Sequence, residues 1–342
     1  MLKGESKVKK ILTCAVAAYN VSATIKQCLD SFVQSDKLND AEIIIINDGS
    51  TDNTKDIVMS YVNKYPESFI LIDKENEGYG STYNVGFKNA NGKYYKVVDG
   101  DDWVNPAAFG KLVEYLKKVD VDLAVSNFIM IDQKRKHKDK VVKFHTGKYP
   151  QNVVMPFRKV CNGVDSIKMH NVVFRTSILK NKNIVIDNMY YVDNEFIIYP
   201  MVYVKSCIFF NLDVYMYRVN QENQSVSLKG MQKNALHMRK VVEKLLFFYE
   251  DNFLKFEKER TRKNYIERLI SEPVNVVYYM FLGGGYSRKI HREMKYFDKE
   301  IKKYEQIYKK QWVAIQIWRK CHCTYPLLVF AYRIYKRIKY TP

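Results

Sequence analysis

The sequence predicts an α/β fold, a mostly parallel sheet flanked by helices, followed by a helical C-terminal extension. Three observations lead there. Short apolar, β-branched runs alternate with helix-period stretches from residue 11 to residue 126, the rhythm of parallel strands joined by crossover helices. Residues 43–46 are four consecutive isoleucines, and an unbroken run of this kind fits a strand covered on both faces. From Lys229 the chain reads as helix after helix, rich in Tyr, Phe and Lys, with Gly283-Gly284-Gly285 as a break.

The elements follow in order. Residues 11–18 are a strand. Ser22 is placed to cap a helix through about Ser35, with Ile25, Cys28, Leu29 and Phe32 on one face. Residues 42–47 are the second strand. Asp48-Gly49-Ser50 turns, Thr51 or Asp52 caps the next helix, and Tyr65-Pro66 ends it. Residues 69–72 are the third strand, followed by a helix near 81–89 that Asn91-Gly92 closes. Residues 94–98 are the fourth strand, and Asn105-Pro106 opens a helix with proline in its first turn. Residues 122–126 are the fifth. After Ser126 the rhythm breaks: 133–143 is hydrophilic and reads as an exposed hairpin or loop, 177–182 and 192–204 read as helices, and 208–212 and 214–219 as strands meeting at Asp213.

Composition sets bounds. The 342 residues are 47% apolar, enough for a large packed domain or a core domain with an appendage. The net charge of +19 is uneven: residues 229–342 hold 26 Lys+Arg against 11 Asp+Glu. That basic third implies an anionic partner. The six cysteines have no zinc or disulfide spacing and read as reduced thiols of a cytoplasmic chain. No apolar run approaches a membrane span. Lys7, Lys9 and Lys10 before residues 11–18 imitate a secretory leader, but the run is short and a helix pattern follows at once.

The chemistry concentrates at strand ends. Asp99-Gly100-Asp101-Asp102 follows the fourth strand, where open α/β sheets bind ligands. Crowded carboxylates invite a hard cation, Mg²⁺ or Mn²⁺, and that cation suits a diphosphate. Ala18-Tyr19-Asn20 and residues 47–52 end strands one and two on the same edge, where Tyr19 is able to stack on a flat base and Asp48 to accept from an imide N–H. Asp52 reads better as a helix cap. Gly78 and Gly80, after Asn76-Glu77, read either as a seat for phosphate or sugar at a helix N-terminus or as a flexible turn.

Together these segments resemble the family 2 glycosyltransferases of the GT-A fold, inverting and non-processive. The matches are Ala18-Tyr19-Asn20, residues 47–52, Asn76-Glu77-Gly78, Asn84-Val85-Gly86 and residues 99–102, in the family's order, within a resemblance that spans roughly 8–225. Two positions depart from the pattern, Ala18 for proline and Asn47 for an acid. The resemblance implies a GT-A domain over 1–228, with a nucleotide-sugar half of about 8–127 and an acceptor half of about 128–228, and a basic helical region over 229–342. It implies a nucleotide-sugar donor, UDP-linked, and a glycan or lipid-linked saccharide acceptor, in cell-surface polysaccharide or glycoconjugate synthesis. Tyr19 and Asp48 then face the base, Asn76 and Gly78 line the donor, Asp99 and Asp101 span ribose and metal, and Asp102 shares the metal. Asp193 takes the place of the family's catalytic base, with Glu195 as second candidate; an aspartate there is also an ordinary helix cap. Arg218, in Tyr217-Arg218 before Gln224-Ser225-Val226-Ser227, answers to a donor-closing loop and is either a diphosphate contact or a surface arginine.

Lys168 and His170 are candidates for the acceptor side, though a lone histidine is more often structural. In the tail, Leu327, Phe330, Ala331, Ile334 and Ile338 share a helix face and Arg333, Lys336, Arg337 and Lys339 lie toward the other. That pattern suits either an anionic membrane, placing the protein peripherally on the inner face of the cell membrane, or packing on its own domain. Two other functions compete: a nucleotidyltransferase, which lacks its glycine-rich basic loop here, and a basic nucleic-acid-binding protein, for which no motif is visible, so no nucleic acid is expected.

Overall fold

The computed structural model describes residues 10–132, 140–142, 150–161, 163, 167–219, 235–253 and 259–340. Most of the expected hairpin or loop 133–143, all but 140–142, and the segment 224–227 lie outside the described residues. The chain divides into two compact units, residues 1–219 and 220–342.

The first unit begins as predicted. Strands β1 (Leu12–Ala18), β2 (Ala41–Asp48), β3 (Phe69–Lys74) and β4 (Tyr94–Asp99) are parallel, in the order β3-β2-β1-β4. Every residue of β2 is buried, as its isoleucine run requires. Each such side chain removed from water contributes roughly 1.5–3 kcal/mol. Helices α1 (Ile25–Val33), α2 (Thr54–Lys64), α3 (Tyr79–Asn89) and α4 (Pro106–Lys118) fill the crossovers. The α4 start is as expected, with Asn105 Oδ1 accepting from Ala108 N at 3.0 Å and Pro106 at the first position. Ser22 does not cap α1. Its amide instead donates to Asp52, whose other oxygen accepts from Thr54 N and Oγ1, so Asp52 ties the two edge turns together.

Beyond β4 antiparallel strands join the parallel ones. β5 (Trp103–Val104), β6 (Leu123–Asp132), β7 (Lys140–Val142), β8 (Met155–Pro156), β9 (Val172–Arg175) and β10 (Ser206–Val219) complete ten strands among the described residues. β9 sits between β4 and β6, antiparallel to both. Its four residues arrive from far along the chain, so nothing local in 94–126 foretells the insertion. β10 is one strand, not two: it runs parallel to β6 throughout and absorbs the break at Asp213 as register shifts between Phe209 and Tyr215. Short helices α5 (Phe157–Val160), α6 (Thr176–Asn181) and α7 (Asp193–Met201) join these strands.

The second unit is helical: α8 (Ala235–Asp251), α9 (Arg260–Gly283), α10 (Arg288–Ile301), α11 (Glu305–Lys309), α12 (Val313–Lys320) and α13 (Tyr325–Tyr340). Asp298 centres it, accepting from Tyr278 Oη at 2.6 Å, Arg319 Nε at 2.6 Å and Tyr308 Oη at 3.2 Å. That satisfied, buried ion pair would be costly to break from one side. Cys321 and Cys323, expected as thiols, are bridged; their turn brings the Cα atoms to 5.4 Å, inside the disulfide range. Cys14, Cys28, Cys161 and Cys207 are buried. Among the described residues no helix is long and apolar enough to cross a membrane.

Candidate active site

The turn 99–102 is fixed from several sides. Gly100 N donates to Ala17 O and Asp102 N to Asp99 O. Two tyrosines hold the acids: Tyr79 Oη donates to Asp99 Oδ1 at 2.7 Å, and Tyr215 Oη to Asp102 Oδ2 at 2.6 Å. Arg218 N donates to Asp102 Oδ1 at 2.7 Å. The two acids and His170 each offer a ligand atom within 4.8 Å of the others. Burial, then the charge of Asp101, push Asp99 up to about 7. The same two causes, with Asp99, raise Asp102 well above the carboxylate range. Burial and then the charges of Lys96 and Lys168 push His170 down to about 3, so its imidazole is neutral. Its Nδ1 is buried without a hydrogen-bond partner, and the ring lies against Tyr217, Tyr215 and Phe128. Crowded acids that hold protons too tightly, beside a neutral imidazole with a spare nitrogen, are a donor set that fits Mn²⁺ or Mg²⁺.

The residues grouped closely enough to share a cation are not the expected pair alone. Asp102 is among them. Asp101 is not: it is half-buried, its carbonyl accepts from Arg218 Nε at 2.6 Å, and its charge acts on its neighbours. His170 stands in the group because β9 carries the segment before Val172 to the centre of the sheet. A one-dimensional reading sees only a lone histidine. Lys96, buried in β4, extends the same support, donating to His170 O at 2.7 Å.

Asp193 opens α7 and joins this cluster: its charge contributes to the raised values of Asp99 and Tyr83. Burial pushes Asp193 up to about 6 against the opposing charge of Lys168. Tyr191 just before it has φ 68, a left-handed backbone that a bulky side chain rarely adopts and that reverses the chain into the helix. Glu195, the second candidate, is fully buried, and its Oε2 accepts from Asp187 N at 2.8 Å. It anchors the turn before Asp193.

The residues expected at the donor also make contacts within the protein. Asp48 is buried: Oδ1 accepts from Lys74 Nζ and Glu77 N, and Oδ2 from Gly78 N at 2.9 Å. Its carboxylate thereby holds the 76–78 loop in place. Gly78 and Gly80 serve close packing. A Cβ on Gly80 would lie 1.8 Å from Asp187 O, and one on Gly78, itself at φ 90, 2.5 Å from Asn188 Oδ1. Asn84 completes this clamp, its side-chain amide exchanging two hydrogen bonds with the Ile186 backbone. The motif face of α3 thus holds the segment that leads to Asp193. Arg218 is buried, with its guanidinium 4.7 Å over Trp103 and Nη2 donating to Gln27 Oε1, so it braces the acid turn. Tyr19 and Asn76 are exposed at the edge, open to a ligand.

We expect Gly80→Ala to destabilise the first unit by about 3 kcal/mol, because the methyl meets backbone rather than a movable side chain. Urea unfolding followed by circular dichroism measures it. A loss below about 0.5 kcal/mol, the range of ordinary surface changes, would show that 186–188 is not clamped there.

The family model for glycosyl transferase family 2 matches residues 13–183. Glycosyltransferase GlyA of Streptococcus pneumoniae is 31% identical over 122 residues, covering 36% of this chain and 17% of that protein. The uncharacterized glycosyltransferase EpsJ of Bacillus subtilis is 36% identical over 118 residues, 34% of each. The chain thus spans about a third or less of the length of these curated relatives. Among solved structures, S. aureus TarS 1-349 in complex with UDP-GlcNAc superposes with a TM-score of 0.54 at 16% identity, covering 89% of this chain and 93% of that one. The mannosyltransferase PcManGT of Pyrobaculum calidifontis, in complex with GDP-Man and Mn²⁺, gives 0.52 at 14% identity, covering 98% and 89%. At these identities the structures speak for the fold, while the family model reaches across half of the sequence: the chain belongs to glycosyl transferase family 2.

Proposed function

We propose that the protein is an inverting, metal-dependent glycosyltransferase that moves a sugar from a UDP-linked donor to a hydroxyl of a glycan or lipid-linked saccharide. The observation that carries this reading is the grouping of Asp99, Asp102 and His170 at the carboxyl edge of one sheet, with the charge of Asp193 felt at Asp99. The nucleotide-sugars held by the TarS and PcManGT structures, and the Mn²⁺ of the latter, support a donor and cation of those classes here.

Asp99, Asp102 and His170 would hold the cation, which when bound offsets the charge of the leaving diphosphate. The chain's own groups do the rest. Exposed Tyr19 stacks on the base. Tyr79 and Tyr215 keep the two acids oriented by donating to them. Asp193 accepts the proton of the acceptor hydroxyl as its oxygen attacks the anomeric carbon from the face opposite the diphosphate. A single displacement with one base inverts the anomeric centre.

A panel of nucleotide-sugars with Mn²⁺, scored by thermal shift and by slow hydrolysis, tests the reading. We expect one UDP-sugar to raise the melting temperature only with metal present, and UDP to be released. Pyrophosphate as the product would instead assign nucleotidyl transfer. Salt-sensitive RNA binding with no response to any UDP-sugar would remove the enzymatic reading.

A further inference from the structure

The last helix, α13, is apolar on two sides. Its inward side is buried through Tyr325 and Val329. On the opposite side Leu327, Phe330 and Ile334, spaced three and four apart, are 66%, 64% and 41% exposed. By helical register Arg333 borders that stripe along one edge. Trp312 is 53% exposed, and its ring lies 3.7 Å from that of Tyr279, which stacks on Tyr332 of α13 at 5.3 Å. An apolar stripe bordered by an arginine, with an indole beside it, matches the boundary between lipid headgroups and acyl chains.

We propose that the outward face of α13, with Trp312 beside it, docks on an anionic lipid surface. Charge decides between occupants. Residues 229–342 carry 26 Lys+Arg against 11 Asp+Glu, so two copies meeting face to face would bring like charges together, whereas acidic headgroups complement them. The helix is too short and too charged to cross a bilayer, and it lies in the surface plane instead. The inference is independent of the transfer reaction.

The test is cosedimentation of the full chain with vesicles of phosphatidylcholine alone and with vesicles containing phosphatidylglycerol. We expect binding to the anionic vesicles that is roughly tenfold or more stronger and that weakens with salt. The exposed double variant Leu327→Ser, Phe330→Ser should keep the wild-type melting curve and UDP-sugar hydrolysis while its vesicle binding drops roughly tenfold. Arg333→Gln with Arg337→Gln should weaken binding and flatten its salt dependence. Three results overturn the proposal: no binding of the wild type to anionic vesicles, unchanged binding of the double serine variant, or a wild-type dimer that those serines dissolve, which would give the face to a second copy. Failure to hydrolyse any nucleotide-sugar leaves the vesicle result standing, so the two readings fail separately.

Discussion

Asp193→Asn is expected to lower sugar transfer by about 10²–10⁴-fold, the range a positioned general base contributes. Nucleotide binding should stay within about twofold, because the change removes an interaction made as the proton moves rather than one that holds the donor. The substitution is nearly isosteric, so α7 should still start at the same turn, and the melting curve checks this. The pH profile adds a second readout. Burial pushes Asp193 up to about 6; below that pH its carboxyl is protonated and cannot accept the acceptor's proton. In the wild type kcat/KM should therefore fall on the acid side with an apparent pKa near 6 and be level above it, until other groups titrate. An Asn variant that turns over at the wild-type rate, or a wild-type acid limb near 4, would remove Asp193 from the reaction.

Asp102→Ala is expected to abolish activity and to reduce Mn²⁺ affinity by an order of magnitude or more, which titration calorimetry reads directly. It also leaves Tyr215 Oη and Arg218 N without their acceptor, a loss of about 1–3 kcal/mol in stability. Asp102→Asn keeps an acceptor and separates the two effects: it should fold normally and still bind metal poorly. Asp101→Ala should bind Mn²⁺ nearly as the wild type does. The reverse pattern, with metal lost in Asp101→Ala and kept in Asp102→Asn, would restore the pair suggested by the sequence and discard His170. The sign of the pH effect follows from the raised acids. Asp99 titrates at about 7 in the folded chain against about 3.9 when unfolded, so the fold holds protons more tightly. Metal-free stability therefore declines as pH rises from about 4 to about 7. A bound cation offsets that repulsion, so the rise in melting temperature on adding Mn²⁺ should be larger at neutral pH than at acid pH.

Much of the site was legible one residue at a time. A strand ending in Asp99-Gly100-Asp101-Asp102 placed the acids at the sheet edge, and the family resemblance pointed to Asp193 at a helix start. The roles of neighbouring residues were not legible. Asp48, Gly78 and Arg218 have residue types that suit a donor, yet each is satisfied by the protein: Asp48 by the loop amides and Lys74, Gly78 by the approach of Asn188, Arg218 by Trp103, Gln27 and the acid turn. A charged or flexible residue beside a site serves as readily to hold it as to act in it, and composition does not separate the two uses.

By itself the sequence determined β1 to β4 with their helices, because period, caps and turns act over a few residues and need no distant partner. Asn105-Pro106 starts α4 wherever that helix lies, and four isoleucines demand cover on both faces. Only the tertiary structure decided that β9 enters antiparallel between β4 and β6, that His170 therefore reaches Asp99 and Asp102, and that α3 clamps the segment before Asp193. Those pairings join residues tens to more than a hundred positions apart. They are selected by whole-sheet packing and by the need to satisfy buried polar groups, and neither leaves a periodic trace in the chain.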